Sequence, residues 1–500
     1  MGTDHTEIIE TQCGKLRGQI KNGIAIYKGI PYAKPPVGDM RFKESVVNEG
    51  WEGVLDCDEF GYSAPQNPID EAGSKIWTEE FIISNREFSE DCLTMNIWAP
   101  TEGHDLPVVL YFYGGGYVSG GSSCEIYDGT YLAKNGVIYV SFNHREGNLG
   151  LLCCRELSES SASNTSGNYM LSDGITALNW LRENIAAFGG DADNITIWGQ
   201  SSGAGQVNAL SISPKARGLF KKVISMGYNN YADELFLVPW KKAEDAYADG
   251  RKTIDEAGSL EKLKTDSWED IIKYPGNRVI QIDGYYIKDS FRDGVLHGDS
   301  DDVSFMMGAV PGDIMMSPLA VLLRGQELTT DLLKKVINTI FRENAEKIVD
   351  FYDVDLSDPA ECCLQIKNDL LVASMLWFAG GRNKTGSGDR TYLYLFDHPM
   401  PGPDKELYGA FHSCEVPYFM NYFSDYRKDY WTEADLELGR ISSDNLISFI
   451  KTGKPLNNDF ITSDGHNYYH INGSEQSNCI FPKDKESLWQ TVFDRIMRNA

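Results

Sequence analysis

The stretch Trp198-Gly-Gln-Ser-Ser-Gly-Ala204 decides the reading of this chain. Within it, Gly199-Gln200-Ser201-Ser202-Gly203 fits the pattern G-x-S-x-G. The apolar run Asn194-Ile-Thr-Ile-Trp198 leads into it, and Ala204-Gly205 onward can open a helix. A strand that turns sharply into a helix lifts the serine at the corner out of the sheet, in a strained backbone conformation. Glycines two residues either side let neighbouring backbone pass closely. Glycine and serine are common residues, so it is the strand before and the helix after that give the pentapeptide its meaning.

Working outward, two more apolar, β-rich runs lie upstream: Leu106-Pro-Val-Val-Leu-Tyr-Phe-Tyr113 and Val137-Ile-Tyr-Val-Ser-Phe142. Short apolar runs of this kind suit strands buried on both faces. Between the second run and the elbow, residues 171–188 carry Ile175, Leu178, Leu181 and Ile185 at spacings of three and four. That spacing marks one apolar helix face, ended by Gly189-Gly190. Strand, helix and strand in this order make a βαβ unit, which requires a parallel sheet. Further helices are expected within 233–270, 328–352 and 435–452, the last stopped by Gly453 and Pro455. No repeat, low-complexity tract or Pro/Ser-rich linker interrupts the chain, so residues 1–500 are read as one domain.

A serine hydroxyl is a poor nucleophile until a base takes its proton. If it attacks a carbonyl, the oxyanion that forms needs donors. Tyr113-Gly-Gly-Gly-Tyr117 follows the strand ending at Phe112, and its three glycines leave backbone N–H groups bare. Gly115, Gly116 and Ser202, the residue after the serine, are the candidate donors.

Composition excludes other classes. The chain has 500 residues, with 46 Lys+Arg against 73 Asp+Glu and a net charge of -27. Such a surface repels phosphate backbones and anionic lipid, so neither nucleic acid nor membrane is expected as a partner. The N-terminal segment lacks an apolar core of the secretory kind, and no run of about 18 apolar residues occurs. Ten cysteines are too sparse for a disulfide scaffold and show no zinc spacing. The expectation is a cytoplasmic protein, a monomer or small homo-oligomer, with no metal or organic cofactor.

Longer motifs make the resemblance specific. Tyr27-Lys-Gly-Ile-Pro-Tyr-Ala-Lys-Pro-Pro36 with Arg41-Phe42, and Ser89-Glu-Asp-Cys-Leu-Thr-Met-Asn96, precede the elbow region. Ser166-Gly-Asn-Tyr-Met-Leu-Ser-Asp173 and Glu183-Asn-Ile-Ala-Ala-Phe-Gly-Gly190 lead up to it. In these the chain resembles, over nearly its whole length, the type-B carboxylesterases, the family of cholinesterases and bacterial para-nitrobenzyl esterases. The resemblance implies an α/β-hydrolase fold: a central, mostly parallel twisted sheet, helices on both faces and a helical cap over an active-site gorge. It also implies a serine esterase acting on a small-molecule ester through an acyl-enzyme.

The partners of Ser201 follow from the same likeness. Among eight histidines, His412 lies in Gly409-Ala-Phe-His-Ser-Cys-Glu-Val-Pro417, similar to the family's Gly-x-x-His-x-x-Glu segment that carries the base. In Met306-Met-Gly-Ala-Val-Pro-Gly-Asp-Ile314, Asp313 stands where the family usually has a glutamate. Either carboxylate can orient an imidazole and stabilise imidazolium. Asp301 and Asp302 stay open as alternatives.

Three departures qualify the likeness. Gln200 replaces the usual Glu before the serine, which counts against a choline-ester specialist. Tyr113 replaces the usual His of the glycine loop, a change cholinesterases share. The partner that secreted members supply to Cys92 is Ala64 here, with Cys57 displaced nearby, so that disulfide is expected to be absent. A feruloyl-type, carbamate or amide hydrolase on the same site, and a non-catalytic binding protein of the same fold, are the rival readings.

Overall fold

The computed structural model describes residues 4–67, 78–235, 239–313, 327–403 and 405–499. Its frame is a twelve-stranded sheet. In chain order the strands are β1 (Asp4–His5), β2 (Gln19–Lys21), β3 (Ile24–Pro31), β4 (Thr94–Pro100), β5 (Leu106–Phe112), β6 (Ile138–Phe142), β7 (Gly190–Gln200), β8 (Lys222–Met226), β9 (Ser304–Ala309), β10 (Thr391–Phe396), β11 (Asn467–Asn472) and β12 (Glu475–Ile480). They lie in the order β1-β2-β3-β4-β6-β5-β7-β8-β9-β10-β11-β12. From β6 through β11 every pairing is parallel. The strands β1 to β4 at one edge, and β12 at the other, are antiparallel.

The central strands read as continuous apolar runs because both faces are covered. Alternate residues enter two different cores, as the period of two requires. Val108, Leu110, Ile197, Val223 and Met307 face one core; Val109, Tyr111, Trp198, Ile224 and Met306 face the other. The first core is covered by α1 (Tyr169–Asn184), α2 (Ser202–Ile212) and the long α3 (Pro359–Thr385). The second is covered by α4 (Val416–Met420) and α5 (Glu433–Thr452). The expected α/β-hydrolase layering is therefore present.

Three expected strands match β5, β6 and β7. Helix α1 starts two residues before the expected range and passes at Ile185 into a 3-10 turn that ends at Gly189, φ 83°. Helix α5 has a capping box of Thr432 with Asp435 and stops at Gly453, φ 80°. The range 328–352 holds two helices, Thr330–Phe341 and Ala345–Phe351, because the chain breaks at Arg342, φ 49°. The range 233–270 likewise breaks into Ala243–Ala257, Leu260–Thr265 and Trp268–Ile271. The cap is expected from the second half of the chain, of which residues 314–326 lie outside the described residues. No described helix is long and apolar enough to cross a membrane.

Two buried cations brace the frame. Arg145 is held by Asp173 through Nη2–H to Oδ1 at 2.6 Å and by the backbone carbonyl of Lys43. Arg382 on α3 donates to the carbonyls of Ser300 and Val303 and to Thr391 Oγ1. Buried charge is tolerable only when its hydrogen bonds are met in this way.

Candidate active site

The site lies where the parallel strands end. Ser201 is the one-residue corner between β7 and α2, with φ 57° and ψ −127°. A non-glycine residue there costs about 1–3 kcal/mol and persists only when its surroundings enforce it. The Ser201 N–H donates to the Met226 carbonyl at 2.8 Å, and its own carbonyl accepts from Gly205 at 3.1 Å. The flanking glycines are sterically required. A Cβ on Gly199 would lie 2.2 Å from the Gly203 carbonyl oxygen, and one on Gly203 would lie 2.0 Å from that of Phe112.

Asp313 follows β9 and His412 follows β10, neighbours in the sheet. Their loops are joined: the Gly312 N–H donates to the Ala410 carbonyl at 2.6 Å, and Gly312 bridges to Phe411 in parallel register. This brings together three residues far apart in sequence. His412 Nε2 lies 2.8 Å from Ser201 Oγ. His412 Nδ1 lies 3.1 Å from Asp313 Oδ2. With Asp313 ionised, Nδ1 carries the proton and donates it to the carboxylate, leaving the Nε2 lone pair for the serine hydroxyl.

The electrostatics suit a base. Burial opposes charge on His412, which is 8% exposed, but the carboxylates of Asp313 and then Glu415 outweigh it and hold the imidazole above its ordinary value. Glu415 is fully buried, and burial pushes its carboxyl up to about 7 against the pull of His412. Neither of its oxygens has a hydrogen-bond partner among the described residues. The buried Lys367 of α3 is pushed down to about 8, with Asp313 acting against that shift.

The glycine loop lies against the serine. A Cβ on Gly114 would sit 2.8 Å from Ser201 Cβ. Gly115 and Gly116 have φ 136° and 65°, and a Cβ on Gly115 would meet the Ser119 carbonyl oxygen at 1.8 Å. Ser202 opens α2, so its N–H lacks an intrahelical acceptor. Gly114 and Ser202 thus flank Ser201 from two elements, with Gly115 and Gly116 following Gly114 in the loop. Tyr113 does not line this space: its ring is buried and stacks on His144 at 4.4 Å.

The alternatives fall away on position. Asp301 lies before β9, at the opposite end of that strand from Asp313, where Oδ1 accepts from Thr385 and Ser387. Asp302 shares that end, next in the chain to Asp301 and before β9 begins. His144 is buried against Gln206 and Glu146, and burial pushes it down to about 4. Gln200 is buried and uncharged beside Ser201. All ten cysteines are free; Cys92 and Cys57 are both buried thiols. Glu415 and Gly312 are the residues that sequence reasoning quoted without giving a part. Only the fold reveals that one is buried beside the histidine and the other ties the two loops.

The profile of the carboxylesterase family matches residues 5–288 and 295–488. The chain belongs to the carboxylesterase family. This carboxylesterase is 31% identical over 471 residues to the para-nitrobenzyl esterase of Bacillus subtilis (strain 168), covering 90% of each chain. It is 39% identical over 219 residues to the phenmedipham hydrolase of Pseudarthrobacter oxydans, covering 43% of this chain and 42% of that one. Its fold is similar to a solved para-nitrobenzyl esterase, with TM-score 0.79 and 27% identity over 96% of this chain and 99% of that chain. It is also similar to the Geobacillus stearothermophilus carboxylesterase, with TM-score 0.80 and 25% identity over 97% of this chain and all of that one. The protein is a carboxylic ester hydrolase with a small-molecule ester as substrate.

Proposed function

We propose that Ser201, His412 and Asp313 are the catalytic triad of this hydrolase, with the N–H groups of Gly115, Gly116 and Ser202 as its oxyanion hole. The observation that carries this is the continuous relay, 2.8 Å from Ser201 to His412 and 3.1 Å from His412 to Asp313. Ser201 Oγ attacks the ester carbonyl carbon as His412 Nε2 takes the hydroxyl proton. The carbonyl oxygen becomes an anion facing the three N–H donors. The tetrahedral intermediate collapses, and the imidazolium returns the proton to the departing alcohol. Water, deprotonated by the same Nε2, then cleaves the acyl-serine ester and releases the acid. Asp313 stays ionised throughout and stabilises the imidazolium.

The neutral Gln200 supports uncharged esters, among them aryl and benzyl esters, over those with a cationic alcohol. Ten free thiols support residence in a reducing compartment such as the cytoplasm. A single sheet that gathers strands from Asp4 to Ile480 supports one domain over 1–500.

A fluorophosphonate probe tests the assignment. The native chain should label once and lose esterase activity in step, and Ser201→Ala should do neither. Equal labelling of Ser201→Ala would remove Ser201 from the nucleophile's place.

A further inference from the structure

A cavity of about 670 Å³ opens on the antiparallel side of the sheet, and none of the proposed triad or oxyanion residues lines it. Its walls come from β2, β3 and β4, from the turn Glu125–Tyr127, from the helix Thr130–Lys134 and from the residues that end α4. Three lysines, Lys21, Lys28 and Lys134, converge on it, and none of them forms an ion pair among the described residues. Phe60, Trp98 and Tyr127 supply aromatic walls. The Lys28 ammonium lies 4.2 Å from the Phe60 ring centroid. Trp98 Nε1 is a buried donor with no acceptor among the described residues.

The two acids at the rim are engaged. Glu125 Oε1 accepts from the Tyr422 hydroxyl at 2.6 Å, and Asp128 Oδ1 accepts from the Thr130 N–H at 2.8 Å. They offset part of the lysine charge, so the cavity favours a single negative charge over a polyphosphate. Its volume falls in the range of small-molecule sites, roughly 300–1,000 Å³. We propose that this cavity is a second ligand site, separate from the ester-cleaving one, and that it takes a planar aromatic monoanion of the aryl carboxylate class. The ring would lie between the aromatic walls, and the carboxylate would accept from Lys28 and from one of the outer lysines. Burial disfavours the Lys28 ammonium and holds it below its ordinary value; Glu59 and Asp128 act against that shift and Lys21 adds to it. An anion beside it would add to the counter-charge that Glu59 and Asp128 supply.

The probe is 1-naphthoate, titrated calorimetrically into the full chain, with neutral 1-naphthamide as the comparison. One saturable site is expected. Lys28→Met should weaken naphthoate binding about tenfold or more, the loss of one charge-assisted hydrogen bond, while hydrolysis of aryl esters is unchanged. The affinity should fall with salt, and naphthamide should bind at least roughly tenfold more weakly. Equal affinity in Lys28→Met, or equal binding of naphthamide, would overturn the proposal, because the ligand would then be held elsewhere or without use of charge. The same holds if no saturable binding is seen. Should Lys28→Met not fold, the exposed Lys21→Gln and Lys134→Met pair carries the same test, since neither side chain is part of the core.

Discussion

Replacing Asp313 by asparagine keeps the size of the side chain and removes its charge. The structure gives the scale of the effect. At 3.1 Å and an effective dielectric near 20, the carboxylate stabilises a positive His412 by about 5 kcal/mol. That charge exists in the transition state and not in the resting imidazole, so the loss falls on kcat, at about 10⁴-fold. The asparagine amide also donates towards Nδ1, which favours the tautomer with its proton on Nε2, where it blocks the serine; this acts in the same direction. The assay is steady-state hydrolysis of para-nitrophenyl acetate, read as nitrophenolate, with thermal unfolding to confirm the fold. KM should change little, since Asp313 touches no substrate. A loss in kcat below about tenfold in a folded variant would refute the relay and send the role of acid to another carboxylate.

The remaining predictions concern pH and packing. The proposed mechanism needs neutral His412, and Asp313 and Glu415 raise its pKa, so kcat/KM should fall as pH drops through a value above the ordinary imidazole 6.5 or so. Glu415→Gln removes one raising charge and should move that limb to lower pH; a shift upward would contradict the assignment. The same substitution acts on stability. Glu415 rises from 4.5 to about 7 on folding, so the folded state loses stability as pH climbs between those values, by about 3 kcal/mol at most. Urea unfolding should therefore find Glu415→Gln more stable than the parent at pH 8.5 and no more stable near pH 4; equal stability at both would place that cost elsewhere. Gly203→Ala would put a methyl group 2.0 Å from the Phe112 carbonyl oxygen. It should cost roughly 1–3 kcal/mol or more in unfolding free energy and remove most esterase activity; a fully active, equally stable variant would mean the elbow is looser than described.

The parts of the fold that the sequence disclosed are those with a local signature. The strands β5 to β7 announce themselves because both their faces are apolar, and α1 because it carries one apolar stripe. The helix α3 announces nothing: Cys362, Ile366, Leu370, Ala373 and Phe378 are buried along with polar Lys367, Ser374 and Arg382, so no stripe of period 3.6 stands out. Helix α2 is buried at every residue from Ser202 to Ile212 and is equally silent, apart from the elbow before it. In the site, Ser201 was legible from its own neighbours. His412 and Asp313 were legible only by likeness to a family, since no local pattern says which loops meet. Their meeting depends on β9 and β10 being neighbours, a pairing whose partners lie 86 positions apart in sequence. Glu415 was in plain view, yet its burial is a property of the second core and not of the segment around it.

The hydrogen-bonded seam between Gly312 and Ala410 has a consequence for how this enzyme would fail. The proposed acid and base are fastened to each other through backbone, whereas the proposed nucleophile belongs to a different crossover of the chain. Under gentle heating the two legs of the relay should therefore have unequal lifetimes. The leg from His412 to Asp313 is carried within one rigid piece and keeps its alignment. The leg from His412 to Ser201 spans two pieces that can drift. Inactivation would then begin as a parting of nucleophile from base, with the imidazole still oriented and the sheet still whole.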